Sequence, residues 1–341
     1  MTIYFAGTEP ESFTSFLQDT PYVSTSGVYH DSDYSRCALS SLENTLITIN
    51  LSGVGSGLSE GWMQSRIGST DAIISSGYPV LQIADATGQI LAEIITKSST
   101  SPYPSVLRYY TAAATRVEVN PQVSIRPTGT NAGQWVTLYW KIVGTSLTLT
   151  WYFNGVLAAT VTVTVAFMSG KLVKQCSWGG TGHTNTSYRI WHSEMLVSSE
   201  DPRGYRVATI VPNSLGTKDE WAGNYADIDD VGLPSDADYI YTDAINKIES
   251  FGLTNLSAAA QNMDVVAAVI NARARRGVTG PQNMKPFIRT NSTDYEGATY
   301  PTVPAVFTNL PPVIMEVNPV TGNPWTLTEI QDLEAGFKSL P

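Results

Sequence analysis

LTLTWYFNGVLAATVTVTV, residues 147–165, carries no charge, and its run of Leu, Val, Trp and Phe invites comparison with a membrane span. Parity decides otherwise. Leu147, Leu149, Trp151 and Phe153 fall on one side, with Thr148, Thr150 and Tyr152 on the other. That is the two-residue repeat of a strand with one buried face. Asn154-Gly155 then interrupts the run, and Asn-Gly is the preferred pair for a tight type I′ hairpin turn. Beyond it, Thr160, Thr162 and Thr164 alternate with Val161, Val163 and Val165. A membrane helix would need about 20 apolar residues without alternation. The stretch reads as sheet, and no membrane span is expected.

The preceding segment, WVTLYWKI (135–142), places Val136, Leu138, Trp140 and Ile142 on one face and Thr137, Tyr139 and Lys141 on the other. Gly144-Thr145-Ser146 supplies a turn, so the two strands should pair as an antiparallel hairpin. Their second face then carries Thr137, Tyr139, Lys141, Thr148, Thr150 and Tyr152. This polar surface with standing aromatic rings is the candidate ligand-binding face. Sugar rings present apolar C–H faces that stack on aromatics, while their hydroxyls bond to Thr and Lys. The alternative is ordinary cross-strand pairing, worth about 0.2–1 kcal/mol per pair, or contact with another subunit. Trp140 and Trp151 belong to the opposite, core-facing side, whereas Trp62, Trp178 and Trp191 have no clear place.

The same grammar recurs through the first two hundred residues. PVLQIADATGQILAEII (79–95) reads as strand, turn, strand, and SVLRYYTAAATRVEV (105–119), QVSIRP (122–127) and SYRIWHSEMLV (187–197) continue it. Short strands with turn signals every eight to twelve residues or so argue for a sandwich of two antiparallel sheets. At 341 residues, two domains are expected. Only 15% of residues are charged, against an ordinary ~25%. The net charge of −10 would repel a phosphate backbone, so nucleic acid is not expected as a partner. Cys37 and Cys176 lie far apart without metal-ligand spacing, which argues against structural zinc, and two buried thiols are expected rather than a single disulfide. MTIYFAGTEP has neither a basic leader nor an apolar core, so signal-directed secretion is not expected.

The order of GWMQSRI, a Gly-punctuated meander, WVTLYWKI, LTWYFNGVLAA and SYRIWHSEMLV resembles the concanavalin A-like, laminin-G-like jelly roll. In that fold an aromatic-x-Asn-Gly hairpin marks the middle strands and a late strand closes the sandwich; Tyr152, Phe153, Asn154 and Gly155 hold that place here. The resemblance covers residues 1–205 and implies a fold, not an activity, because the same fold hosts lectins, glycosidases and spacers.

A change of character follows at SSEDPRG (198–204), the strand-like YRVATIVP and a loop rich in Gly, Pro, Asp and Asn, and the boundary is placed near residue 215. DVVAAVINARARRG (264–277) reads as one long strand, with Val266, Ala268, Ile270, Ala272 and Ala274 on one face. MKPFIRTN and PPVIMEVN read as further strands. Thr326 with Glu329 is a capping-box signature. Leu327, Ile330, Leu333 and Phe337 then repeat at helical spacing, with Trp325 as an anchor before the cap. The fold expected is all-β: a concanavalin A-like jelly-roll sandwich over 1–215, and a smaller carboxy-terminal β-sandwich over 216–341 closed by a terminal α-helix.

Residues 222–341 resemble a module at the carboxy end of tailed-bacteriophage virion proteins. Three motifs carry the likeness: D-x-D-Y (Asp236, Asp238, Tyr239), R-x-x-x-x-D-Y (Arg289, Asp294, Tyr295) and NP-x-T-G-x-x-W-T (Asn318 to Thr326). The resemblance implies a virion structural protein of the tail, baseplate or fibre region, made in the host cytoplasm. Its implied partners are other virion proteins, further copies of itself and, at the host surface, polysaccharide. A carbohydrate-binding adhesin and a capsid decoration protein are the alternatives.

Enzymatic signatures are missing. Concanavalin-like glycosidases resemble one another in an E-x-D-x-E strand that aims three acids into a cleft. The nearest approaches, Asp227 with Asp229 and Asp236 with Asp238, lack the third acid and sit among Gly and Pro. His30, His183 and His192 are scattered, and no G-x-S-x-G elbow, P-loop or HExxH occurs. No catalytic residue and no cofactor is expected. Calcium could draw on Asp227, Asp229, Asp230, Asp236 and Asp238, but turn-forming acids are the simpler account. Arg273, Arg275 and Arg276 form the tight basic cluster, read as strand-guarding charge rather than a docking site.

Overall fold

The structure, a computed structural model, describes the chain except residues 14, 17–21, 27–29, 41–46, 52–54, 70–78, 98–103, 125–132 and 180–189. It is nearly all β. Chain contacts divide it into two compact units, Met1–Glu9 with Ser15–Val207, and Pro10–Thr14 with Ala208–Pro341. The short excursion has a local cause. Phe13 is fully buried, and the Asn309 amide donates to the carbonyls of Pro10 at 2.9 Å and Phe13 at 2.8 Å.

The first unit contains β1 (Ile3–Gly7), β2 (Ser15–Phe16), β3 (Tyr22–Ser24), β4 (Ala38–Ser40), β5 (Ile47–Asn50), β6 (Glu60–Ser69), β7 (Pro79–Ala84) and β8 (Ile90–Thr96). It continues with β9 (Pro104–Ala112), β10 (Thr115–Ser124), β11 (Gln134–Val143), β12 (Ser146–Phe153), β13 (Val156–Thr164), β14 (Gln175–Trp178) and β15 (Ile190–Ser198). One sheet runs β13-β12-β11-β6-β15-β4-β3, with β1 also on β15; the other runs β10-β9-β8-β7-β14-β5-β2. The chain crosses between the sheets at β1 to β2, β2 to β3, β4 to β5, β5 to β6, β6 to β7, β10 to β11, β13 to β14 and β14 to β15. That is the interleaving of a jelly-roll sandwich, and all pairings are antiparallel.

The alternation read from the sequence sets the layers. Leu138, Trp140, Leu149 and Trp151 are fully buried from one sheet, and Leu81, Ile83, Leu91 and Trp178 from the other. Phe5 meets Trp178 across the gap at 5.6 Å between ring centroids. The opening stretch is β12, a turn and β13. Asn154 and Gly155 both take positive φ, 49° and 77°, as a type I′ turn requires. The Asn154 side chain accepts from Trp135 N at 2.8 Å, and its own N–H donates to Trp135 O at 2.8 Å, tying the hairpin to β11. Cys37 and Cys176 are buried thiols, and Cys37 Sγ donates to Thr8 O at 3.6 Å. Among the described residues no helix is long and apolar enough to cross a membrane.

The second unit holds β16 (Pro212–Asp219), β17 (Ile248–Leu253), β18 (Ala268–Ile270), β19 (Arg273–Ala274), β20 (Asn283–Thr290), β21 (Thr293–Glu296), β22 (Thr308–Asn309), β23 (Val313–Met315), α1 (Leu327–Gln331) and β24 (Glu334–Leu340). Its main sheet runs β16-β17-β24-β20-β21, beside the ribbons β18-β23 and β19-β22. The capping box forms as expected: Glu329 N donates to Thr326 Oγ1 at 3.2 Å, and Thr326 N to Glu329 Oε2 at 2.9 Å. Trp325 is buried and donates from Nε1 to Met315 O at 2.9 Å.

Three expectations are corrected. The terminal helix ends at Gln331, and Phe337 lies in β24, at the centre of the sheet. A Cβ at Gly336 would meet Glu249 O at 1.8 Å, so this position demands close backbone approach rather than a helical turn. Residues 264–277 form two short strands on different partners instead of one long one. YRVATIVP forms no strand before Pro212, while NSLGTKD, read as loop, forms most of β16.

Candidate functional site

Pairing brings all six residues of the candidate face together in the expected register. Thr137 faces Tyr152, Tyr139 faces Thr150, and Lys141 faces Thr148. On the other side of β11, Thr137 pairs with Gln64, Tyr139 with Trp62 and Lys141 with Glu60. Trp62 is thus a member that the sequence did not place. Its ring lies 4.6 Å from that of Tyr139 and 6.1 Å from that of Tyr152, making a half-buried three-ring cluster on the side of the sheet opposite the core.

The polar groups divide into two kinds. Thr137, 1% exposed, and Thr150, 8% exposed, are structural. Thr137 donates to Gln64 Oε1 at 3.2 Å, and the hydroxyls of Thr150 and Thr160 share a 3.1 Å bond. Thr148 and Thr162 form a matching 3.1 Å pair nearer solvent. Glu60 and Lys141 are exposed at the rim. The Glu60 carboxylate accepts from Lys141 Nζ at 2.8 Å and from the Tyr139 hydroxyl at 2.7 Å. The Lys141 bond, then the Tyr139 bond, hold Glu60 below the usual carboxylate range. Burial, then the Glu60 carboxylate, push the Tyr139 phenol up to about 12, so it stays a neutral donor.

The segment after β15 folds back over the same sheet. Gln64 Nε2 donates to Tyr205 O at 3.4 Å. The Arg203 guanidinium lies 3.8 Å over the Tyr152 ring, donates to Gly155 O at 3.1 Å and pairs with Asp201 at 2.9 Å. Tyr152 therefore has one face covered, which leaves Trp62 and Tyr139 as the stacking platform.

Farther along the strands the half-buried Arg206 closes an ion group around the buried Glu194. It donates to Glu194 at 2.6 and 2.8 Å and to Asp31 at 2.7 Å, and lies 3.4 Å over the Tyr34 ring. Glu194 sits where the β15–β6 register shifts, with φ +48° and a side chain 0% exposed. That backbone strain costs on the order of 1–3 kcal/mol. Burial holds the Glu194 carboxyl above its ordinary range, with Arg206 pulling it back. The acids around this sheet face are thus taken: Glu60 by Lys141, Asp201 by Arg203, Glu194 and Asp31 by Arg206. Among the described residues here, no carboxylate pair stands apart from these ion pairs to act as acid and base.

The other sequence candidates are engaged elsewhere. Asp236 pairs with Arg273 at 2.7 Å, Asp227 caps a short turn through Asn224 N, and Asp230 accepts from Ser235 N. Among the described residues no group of three or more His, Cys, Asp or Glu is arranged to hold a metal ion. Arg273 also reaches Asn309, Arg275 lies over the Tyr239 and Phe307 rings, and Arg276 donates to Gln282, so the basic cluster braces its own unit. His192 is fully buried against Ser65 at 3.1 Å, His30 is buried beside Thr25 O, and His183 lies outside the described residues.

The fold and this face define an all-β protein whose jelly-roll sheet presents an aromatic platform with internally paired charges. No protein-family model matches the sequence, and no curated protein matches it. Solved structures are similar at low identity. The CBM2 module of Lactobacillus casei BL23 phage J-1 evolved Dit has a TM-score of 0.33 and 14% identity, over 48% of this chain and 77% of that one. The legume lectin-like domain from Entamoeba histolytica has a TM-score of 0.38 and 8% identity, over 59% and 99%. The botulinum neurotoxin serotype C1 binding domain has a TM-score of 0.39 and 13% identity, over 86% and 74%.

Proposed function

We propose that the chain is a non-enzymatic component of a tailed-phage virion, in the tail, baseplate or fibre region, whose first unit binds host-surface carbohydrate. The observation that carries the binding reading is the Trp62–Tyr139–Tyr152 cluster on the outer side of the sheet. Stacked C–H contact on Trp62 and Tyr139 supplies the apolar part of recognition. Thr148 and the Glu60–Lys141 pair supply rim hydrogen bonds. Because the charges around the face are already paired, the ligand it suits is a neutral glycan rather than a uronic or sialylated one. The virion setting is supported by the carboxy-terminal motifs ending in NPVTGNPWT, residues 318–326.

A purely structural role through protein contacts is favoured by a separate observation. The second unit leaves apolar side chains in water, Val278 at 98%, Val306 at 70% and Leu233 at 50%. A glycan array with the purified protein separates the readings. Saturable binding to neutral glycans, weakened tenfold or more (about 1.4 kcal/mol) by Trp62→Ala or Tyr139→Ala, supports carbohydrate recognition. Absence of saturable binding, host polysaccharide included, leaves the structural role. Antibody labelling of particles checks the address: label spread evenly over the head refutes a tail position.

A further inference from the structure

We propose that the second unit docks a basic partner protein through an exposed aromatic surface formed by Tyr239, Tyr241, Val306 and Phe307. The inference deepens the protein-contact reading of that unit and does not depend on sugar binding by the first. Among the described residues of the second unit, eleven large apolar side chains are exposed, as many as are buried. Scattered singly they would need no explanation, but a contiguous apolar patch marks a contact surface. These four are contiguous. The Tyr239 ring lies 5.5 Å from that of Phe307 and 6.3 Å from that of Tyr241, and Val306 adjoins Phe307. Tyr239 is 38% exposed, Tyr241 51% and Val306 70%.

The surface is held in place before any partner arrives. Arg273 of β19 grips Asp236 with bonds of 2.7 and 2.8 Å, which ties the segment carrying Tyr239 to the β19–β22 ribbon. Arg275 lies 5.5 Å over the Tyr239 ring and 5.0 Å over that of Phe307. Tyr241 exchanges backbone bonds of 2.8 and 2.9 Å with Ala222. Rings fixed in this way lose little freedom on binding, and Tyr and Arg are the residue types that dominate interface centres. Charge selects the occupant. The second unit carries 17 Asp and Glu against 8 Lys and Arg, a net of −9, whereas the first carries 13 against 12. Residues 219–246, which include both tyrosines, hold eight of those acids and no Lys or Arg. Desolvation, then the Asp227, Asp230 and Asp229 carboxylates, hold the exposed Asp238 carboxyl above its ordinary range. A second copy would set the same excess of acid against this rim. A face of Lys and Arg interleaved with apolar side chains relieves the repulsion and covers the rings at once.

Calorimetric titration of the full chain with synthetic peptides at low ionic strength tests this. One peptide alternates lysine with leucine, a second lysine with serine, and a third glutamate with leucine. The expected result is saturable binding of the lysine–leucine peptide, at least tenfold tighter than lysine–serine, and none of glutamate–leucine. Tyr241→Ser with Val306→Ser, both at exposed positions, should weaken that binding at least tenfold and leave glycan binding unchanged. Asp238→Lys should weaken it as well. Absence of saturable binding, or equal binding of the glutamate peptide, overturns the inference. Binding that the Tyr241/Val306 pair leaves unmoved overturns this surface alone, with the protein-contact reading of the unit still standing. A mass that doubles with concentration in sedimentation, and reverts in the same pair, overturns it by giving the patch to a second copy.

Discussion

Replacing Arg206 with alanine tests whether the strained bend in β15 is held by charge. Glu194 has a side chain 0% exposed, and Arg206 grips both its oxygens while also reaching Asp31. Removing a surface partner would cost about 0–1 kcal/mol. Here removal strands a buried carboxylate, for which about 3–5 kcal/mol is the expected loss. For a unit of this size each kcal/mol moves the melting temperature by about 2–4 °C, so Arg206→Ala should lower it by about 6–20 °C. Adding Glu194→Gln to Arg206→Ala should recover more than half of the loss, because a neutral amide tolerates burial where an orphaned anion does not. The pH dependence has a definite sign. Glu194 titrates above its ordinary range in the folded protein, and more so without Arg206. The Arg206→Ala deficit should therefore be largest near neutrality and shrink as acid protonates the carboxyl. Urea unfolding at pH 7 and pH 4 measures it. A loss below about 1 kcal/mol, or one indifferent to Glu194→Gln, would refute the reasoning.

Two further outcomes follow from single contacts. Burial depresses the His192 imidazole to about 3 from an ordinary 6.5. Its contribution to stability is complete above 6.5 and is lost as pH falls through that window toward 3, at up to about 1.4 kcal/mol per pH unit; His192→Asn should flatten the slope between pH 6 and 5, and an unchanged slope there rejects the assignment. Gly336→Ala would drive a methyl against Glu249 O, a backbone atom in the neighbouring strand. Overpacking of this kind costs about 1–3 kcal/mol or more, and chemical unfolding indistinguishable from wild type would show that β24 is not held this closely.

The candidate face was legible as far as local pairing reaches. Parity and Asn154-Gly155 fixed the register of β11 with β12, because a two-residue repeat allows no slip that keeps Trp140 and Trp151 inside. Trp62 was missed because its contact with Tyr139 depends on β6 pairing with β11, seventy-odd residues later, as Gln64 to Thr137 shows at a separation of 73. A usable signal was there: in GWMQSRI, Met63 and Ile67 claim the core face and leave Trp62, Gln64 and Arg66 on the other. Nothing local announced that Thr137 would be buried, since Gln64 and the returning segment near Tyr205 do the covering.

In the second unit the patterns were present but served more than one partner. Ala268, Ile270, Ala272 and Ala274 do alternate as one strand would, yet the first two pack with Met315 and Trp325 while the last two pack with Met284, Val303 and Leu310. One periodicity spans two small cores, each lined by its own short ribbon. The terminal segment shows the converse. Ile330 and Leu333 share a cluster at helical spacing, but the repeat survives only to Gln331 because Gly336 must lie against the backbone of β17. Glycine is a poor helix residue, by about 1 kcal/mol relative to alanine, and its place inside EAGFKSL was the readable sign that the helical repeat would give way to strand. Small cores stitched from short elements thus leave periodicity ambiguous, and the residue that decides is the one whose missing side chain makes room for a neighbour far away in sequence.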